Sequence, residues 1–281
     1  MNGLGKQLGL ELLKLYGRKR TYIGFGAFLF VEVLLLSLLQ MRPAQRAFAR
    51  LLETNGFGFE EYFSGLTLAF LIMTNTIFFL SSLYLALVAG DMVAKEAEDG
   101  TLRMLLCRPV SRFRVLMVKY LACLVYTASL MVFIVVTSLL AGVAYKGMGG
   151  LFVYAPLQGV FGLYEAGPAL VRYGFAVILL CVVTATVSTL GFFFSCFNMK
   201  PAAATILTLS LLFMDMVVQL IPYFESIKGW LLTYHIGCWV LVFQPQIPWW
   251  RIGESVVYLW GFNLSFLAVG GLYFLRRDFK S

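Results

Sequence analysis

Three groups of residues in this sequence have the types and spacing that chemistry would need. The first is a crowded charged stretch, EAEDGTLRMLLCRPVSR, residues 96–112, lodged between two long apolar runs. The second is a pair of isolated carboxylates, Glu32 and Asp215, each deep inside an apolar run. Asn75, beside Thr74, and Gln219, one turn after Asp215, are the amides that could hydrogen-bond them. The third is a sparse set of metal-ligating types: His235 alone, and Cys107, Cys123, Cys181, Cys196 and Cys238 with no C-x-x-C pair. A metal site needs several ligands at matched spacing, so no metal is expected. A buried Cys otherwise acts as a small hydrophobe, and no disulfide framework is expected. No G-x-x-x-x-G-K-[ST] run occurs, so the chain has no P-loop to cradle a nucleotide.

The elements that must position these residues follow from composition. The chain has 281 residues, is 60% hydrophobic and 13% charged, and has a mean hydropathy of +0.85. Several apolar runs reach the roughly 20 residues that a helix needs to cross a bilayer. The ten-residue alternation of a membrane barrel is absent. The expected fold is therefore all-α and polytopic, with six transmembrane helices near 21–41, 66–90, 113–142, 171–196, 201–222 and 252–275. Lys and Arg set the orientation. With the N-terminus inside, the inner segments hold fifteen of the twenty-two basic residues. Both termini are then cytoplasmic, and so is the charged link, 91–112. The net charge of +8 reflects this bias, and no nucleic-acid partner is expected.

Residues 1–20 are expected to form an N-terminal interfacial helix ahead of the transmembrane domain, 21–281. Leu8, Leu12, Leu13 and Leu15 offer an apolar side, and Lys14 with the basic end suits anionic headgroups. The outer loops are 42–65, 143–170 and 223–250. The second has eight Gly or Pro turn points. The third includes GWLLTYHIGCWVLVF, too short for a full span and more like an interfacial or re-entrant piece. Trp230, Trp239, Trp249 and Trp250 fit an aromatic belt. His235 in this setting reads as a packed side chain.

Within the link, Gly100 is expected to break a helix, and Thr101 to cap a new short one with Leu102, Leu105 and Leu106 along an apolar side. Pro109 ends it, and Ser111 caps the third span. Joining two helices needs only a few polar residues, so an apolar-sided helix here suggests docking. The leucines folding back onto the bilayer is the competing reading.

The run Glu96, Glu98, Gly100, Thr101, Leu102, Leu105, Leu106, Pro109, Val110, Ser111, Arg112 and Lys119 resembles the signature between spans two and three of the ABC type-2 exporter permeases. The resemblance implies a homodimer of permease subunits in the lipid bilayer, each copy receiving a separate cytoplasmic ABC ATPase subunit. It implies ATP and Mg2+ on that partner, and no cofactor and no enzymatic reaction in this chain. It assigns ATPase coupling to Glu96, Glu98, Gly100, Thr101, Leu102, Leu105, Leu106, Pro109 and Arg112, with Lys119 in support. A bacterial inner membrane is the expected location. Asp215, Glu32, Asn75 and Gln219 are the candidates for a polar pathway, or else for structural hydrogen bonding. An ATP-independent carrier, a membrane anchor for a cytoplasmic complex and an intramembrane enzyme are the other classes. The carrier would show inverted repeats, and none is evident. The enzyme would need a convergent set of nucleophile and base.

Overall fold

Apolar runs become helices in a membrane because each backbone N–H and C=O must be satisfied within its own segment. The computed structural model describes residues 3–43, 45–46, 49–50, 62–107 and 110–277, and all of their side chains except those of Arg20, Phe78, Phe79, Arg103 and Leu106. Most of the outer loop 42–65 and Pro109 of the link lie outside the described residues.

The molecule is all-α and polytopic, with one small hairpin. Helix α1 (Gly3–Tyr16) precedes α2 (Lys19–Leu39). Helix α3 (Gly65–Asn75) runs through a π-helical segment (Thr76–Ser81) into α4 (Ser82–Glu98). The short α5 (Thr101–Leu106) leads to α6 (Arg112–Lys146), and then β1 (Leu151–Ala155) pairs antiparallel with β2 (Val160–Tyr164). Next come α7 (Ala166–Ser195), α8 (Pro201–Leu220), a 3-10 segment (Pro222–Trp230), α9 (Leu232–Ile236), a second 3-10 segment (Gly237–Phe243) and α10 (Trp249–Arg276).

Five of the described helices are long and apolar enough to cross a membrane: α2 over Thr21–Leu39, α6, α7, α8 and α10. The expected second span, 66–90, is composite: α3, the π segment and α4 follow one another without a gap. A 70° bend separates Pro222–Trp230 from Leu232–Phe243, so that stretch is no straight span. With 35 residues, α6 is about 50 Å long and outreaches a hydrocarbon core of about 30 Å. The hairpin in 143–170 is a correction to the irregular loop expected there. Its strands, LFVYA and VFGLY, are rich in the β-branched and aromatic residues that suit a pleated surface.

Helix α7 is the centre of the bundle, with 61% of its most apolar window buried, against 17% for α2 and for α8. It packs on α4, α6, α8 and α10. Polar pairs cross the α6–α7 contact: Thr127 Oγ1 lies 2.6 Å from Ser188 Oγ, and Tyr120 Oη 3.0 Å from Thr189 Oγ1. Ser195 Oγ accepts from the backbone N–H groups of Val93 and Ala94, each at 2.9 Å, and ties the end of α7 to α4. The backbones of α3 and α6 approach each other closely. A Cβ on Gly142 would come within 2.2 Å of the Gly65 carbonyl oxygen, so both positions require glycine.

Candidate functional site

The charged link closes over a buried ionic seam. Leu8, Leu12, Leu15 and Tyr16 seat α1 on the bundle core, while Leu13 faces outward, contrary to the apolar side expected for it. That seating turns Glu11 and Lys14 toward the feet of α4 and α6. Lys119 Nζ, at the foot of α6, lies 2.8 Å from Glu11 Oε1 and 2.6 Å from Glu96 Oε2. Lys14 pairs with the other oxygen of Glu96. Lys119 is only 1% exposed and Glu96 only 3%. Two carboxylates and two ammonium groups thus alternate across α1, α4 and α6 with no net charge. Burial pushes the Glu96 carboxyl up, but Lys119 and Lys14 together hold it below the usual carboxylate range. Removing one member of such a buried set would leave a charge uncompensated.

Above this seam the link turns sharply. Gly100 has φ +71, a left-handed conformation that only glycine adopts at little cost. Thr101 opens α5, and its hydroxyl donates to the Glu96 carbonyl at 3.3 Å, which ties α5 to α4. Leu102 is fully buried in the chain's own core, where the sequence places it on an apolar side with Leu105. The side chain of Leu106 lies outside the described residues. The link presents Glu98, Thr101 and Met104 outward, with Leu105 half-buried. Met104, 67% exposed, was not singled out by the sequence. Ser111 caps α6 as expected, its hydroxyl accepting from the Arg114 N–H at 3.3 Å. Arg112 Nη1 donates to the carbonyls of Leu275 (3.2 Å) and Arg277 (3.0 Å), at and just beyond the last turn of α10. Arg277 in turn donates to the carbonyls of Cys196 and Phe197 after α7.

The four intramembrane candidates do not converge. Glu32, 1% exposed, accepts from Thr137 Oγ1 and Ser138 Oγ of α6, each at 2.9 Å, and so belongs to the α2–α6 seam. Asn75 donates to the Leu71 carbonyl of its own helix at 2.7 Å, so it bonds neither carboxylate. Asp215 and Gln219 do meet, through Thr233. Asp215 Oδ2 accepts from the Thr233 N–H at 2.7 Å and its hydroxyl at 2.6 Å, and the same hydroxyl lies 3.0 Å from Gln219 Oε1. One hydroxyl has one proton. Turning the Gln219 amide so that its nitrogen donates to Thr233, while Thr233 donates to Asp215, satisfies all three groups. Thr233 was missed because it lies in the short α9, just after the 70° bend, and not in one of the long apolar runs.

Gln219 and Thr233 also line a cavity of about 340 Å³ between the α3–π–α4 span, α7, α8 and the bent outer segment. The stretch just beyond that wall, residues 242–245, is held by Arg172, another residue the sequence left unassigned. The Arg172 guanidinium donates to the carbonyls of Val242, Gln244 (2.6 Å) and Pro245 (3.2 Å), and stacks 4.1 Å from the Tyr164 ring centroid. Tyr164 Oη donates to the Phe243 carbonyl at 2.7 Å. Behind these, the Phe243 ring packs on Phe70 and Tyr173. His235 is packed, with Nε2 2.9 Å from the Gly229 carbonyl and Nδ1 3.0 Å from Ser255 Oγ. Among the described residues no group of three metal-ligating side chains is found.

Comparison with known proteins bears on the whole of this arrangement. Over 71 residues the chain is 37% identical to the uncharacterized protein YhcI of Bacillus subtilis (strain 168). That match covers 25% of this chain and 23% of the relative's length. A family model described as ABC-2 family transporter protein matches residues 8–215, from within α1, through the ionic seam and the link, to Asp215 in α8. With most of its length, and the whole ionic seam, inside that match, the chain belongs to the ABC-2 family of transporter proteins.

Proposed function

We propose that this chain is the membrane-spanning permease subunit of an ATP-driven exporter, working as a pair of copies with a separate cytoplasmic ATPase that holds ATP and Mg2+. The observation that carries the reading is the ionic seam Glu11–Lys119–Glu96–Lys14 beneath the link. A force applied to α5 reaches α4 through the Thr101 hydroxyl bond and the buried Leu102, and reaches α1 and α6 through Glu96. Three elements then move as one rigid body, which is how a small displacement at a docking site becomes a large one elsewhere. Glu98, Gly100, Thr101, Met104 and Leu105 would form or shape the contact. Glu96, Leu102 and Arg112 would hold the link in place behind it. The excess of basic residues at this end supports a cytoplasmic placement of both termini, in a bacterial cell membrane.

The test is to purify the chain from its native membrane in mild detergent and identify what accompanies it. A near-stoichiometric P-loop ATPase is expected, with turnover uncoupled by Leu105→Asp or Gly100→Pro in chains that still insert. A clean chain in several detergents would overturn the reading and favour an ATP-independent carrier. A bound ATPase with export unchanged in both variants would remove the link from the coupling role.

A further inference from the structure

The last helix, α10, is held near both ends by polar contacts, and the two ends serve different parts of the molecule. At the link end, Arg112, the first residue of α6, donates to the carbonyls of Leu275 and Arg277 at 3.2 and 3.0 Å. Carbonyls at the end of a helix lack intrahelical partners, and a cation is favoured there. Arg277 then reaches past the end of α10 to the turn 196–200 that joins α7 to α8. It donates to the carbonyls of Cys196 (3.4 Å) and Phe197 (3.1 Å) and to Asn198 Oδ1 (2.5 Å). The last turns of α10 are also wedged between two helices. A Cβ on Gly270 would stand 3.2 Å from the Phe193 ring of α7, and one on Gly271 3.2 Å from Leu116 of α6. The other half of α10 holds the bent segment 222–243. Tyr258 Oη donates to the Trp230 carbonyl at 2.7 Å, and its ring packs 4.2 Å from the His235 ring, centroid to centroid. Ser255 Oγ lies 3.0 Å from His235 Nδ1. Between these ends α10 is unbroken and has no proline to kink it. Its 28 residues make a rod about 42 Å long.

We infer that α10 carries movement of the link to the bent segment, and that Arg277 is the positioning residue that clamps the link end of this rod to α7 and α8. The inference rests on the permease reading and adds the route by which the far end responds to the ATPase. Helix α10 packs mainly on α7 and only lightly on α6. The bonds from Arg112 therefore give the link a hold on α10 that packing alone gives weakly. A planar guanidinium forks to several acceptors at once, so Arg277 fixes rod and turn in one geometry. The competing reading is a staple that stabilises the fold and transmits nothing. Arg276, exposed and one residue away, has the same charge at the same helix end and makes none of these bonds, so it supplies the control.

The experiment uses the full chain in lipid nanodiscs with its co-purified ATPase. Cys107 and Cys181 are replaced by serine, and spin labels are placed on Tyr223→Cys in the bent segment and Val171→Cys in α7, both exposed positions. Trapping the ATPase with ATP and vanadate is expected to shift the distance between the labels. Arg277→Gln should abolish the shift while ATP turnover persists. Arg277→Lys should rescue it at least in part, and Arg276→Gln should leave it whole. Ser255→Ala combined with Tyr258→Phe spares the link end and frees the bent segment. It should abolish the shift as well, and it carries the test if Arg277→Gln does not insert. An undiminished shift in Arg277→Gln, with only the melting temperature lowered, makes Arg277 a staple and overturns the inference. An undiminished shift in the far-end double variant, or an equal loss in Arg276→Gln, overturns it too. If the ATPase is bound and turns over but the labelled parent shows no shift, this inference falls and the permease reading stands. If no ATPase accompanies the chain, the permease reading falls and takes this inference with it.

Discussion

The two ends of the bundle are held together by different physics. At the α1 end, four charged side chains from three helices share one network, buried at Glu96 and Lys119 and open to solvent at Lys14. At the opposite end, one cation, Arg172, gathers backbone carbonyls while Tyr164, Phe243 and Phe70 supply aromatic packing. In the ionic seam the burial of Glu96 and Lys119 rests on shared partners, so its contacts are expected to be lost together. The opposite end closes by separable contacts, carbonyl by carbonyl and ring by ring. An end that transmits force needs the first kind of joint, and an end that opens stepwise suits the second.

The largest way to break this comparison is Lys119→Met. It leaves Glu11 and Glu96 facing each other, and should destabilise the protein by about 3–5 kcal/mol, the usual result of orphaning a buried charge. Thermal unfolding in detergent measures it. Adding Glu96→Gln should recover part of the loss, and a strictly additive pair would dissolve the network. Acid tests the same joint by a second route. The Glu96 carboxyl titrates below its ordinary range in the folded chain. Its stabilisation is therefore complete above the ordinary glutamate pKa and is lost as pH falls through the lower folded value. Crosslinking of α1 to α6 through an engineered cysteine pair should weaken in that window, while a pair spanning Tyr164 and Phe243 should not.

At the other end, Arg172→Gln should cost about 2–3 kcal/mol, the scale of hydrogen bonds made by a charged donor. Tyr164→Phe should cost about 1 kcal/mol, since it removes one neutral donor. If those two substitutions together cost far more than their sum, the opposite end is as cooperative as the ionic seam and the contrast fails. The smallest stability effect belongs to Glu98→Gln, within about 0.5 kcal/mol for an exposed side chain. Its expected signature is instead reduced ATPase stimulation in the assembled complex.

Some of this site was legible from residues alone. Gly100 and Ser111 mark the turn and the cap because backbone conformation and capping are local and leave local signatures. Glu96 and Lys119 stood out by position, but their contact did not. Glu11 and Lys14 share a helical side with Leu8, Leu12 and Leu15, a periodicity that could have pointed them at the bundle. Nothing local distinguishes Leu102 from Leu105, although one is buried in the chain's core and the other is half-exposed.

The sequence by itself determined that the chain spans a membrane as helices, where most of those spans lie, and that a charged link interrupts them. Hydropathy and backbone satisfaction suffice for that, because every residue in a span faces the same requirement. The tertiary structure decided which charges neutralise one another and that Glu32 and Asp215 have separate partners. Those outcomes depend on helix rotation and on contacts between residues far apart in the chain, 108 positions for Lys119 and Glu11, and no local pattern encodes them.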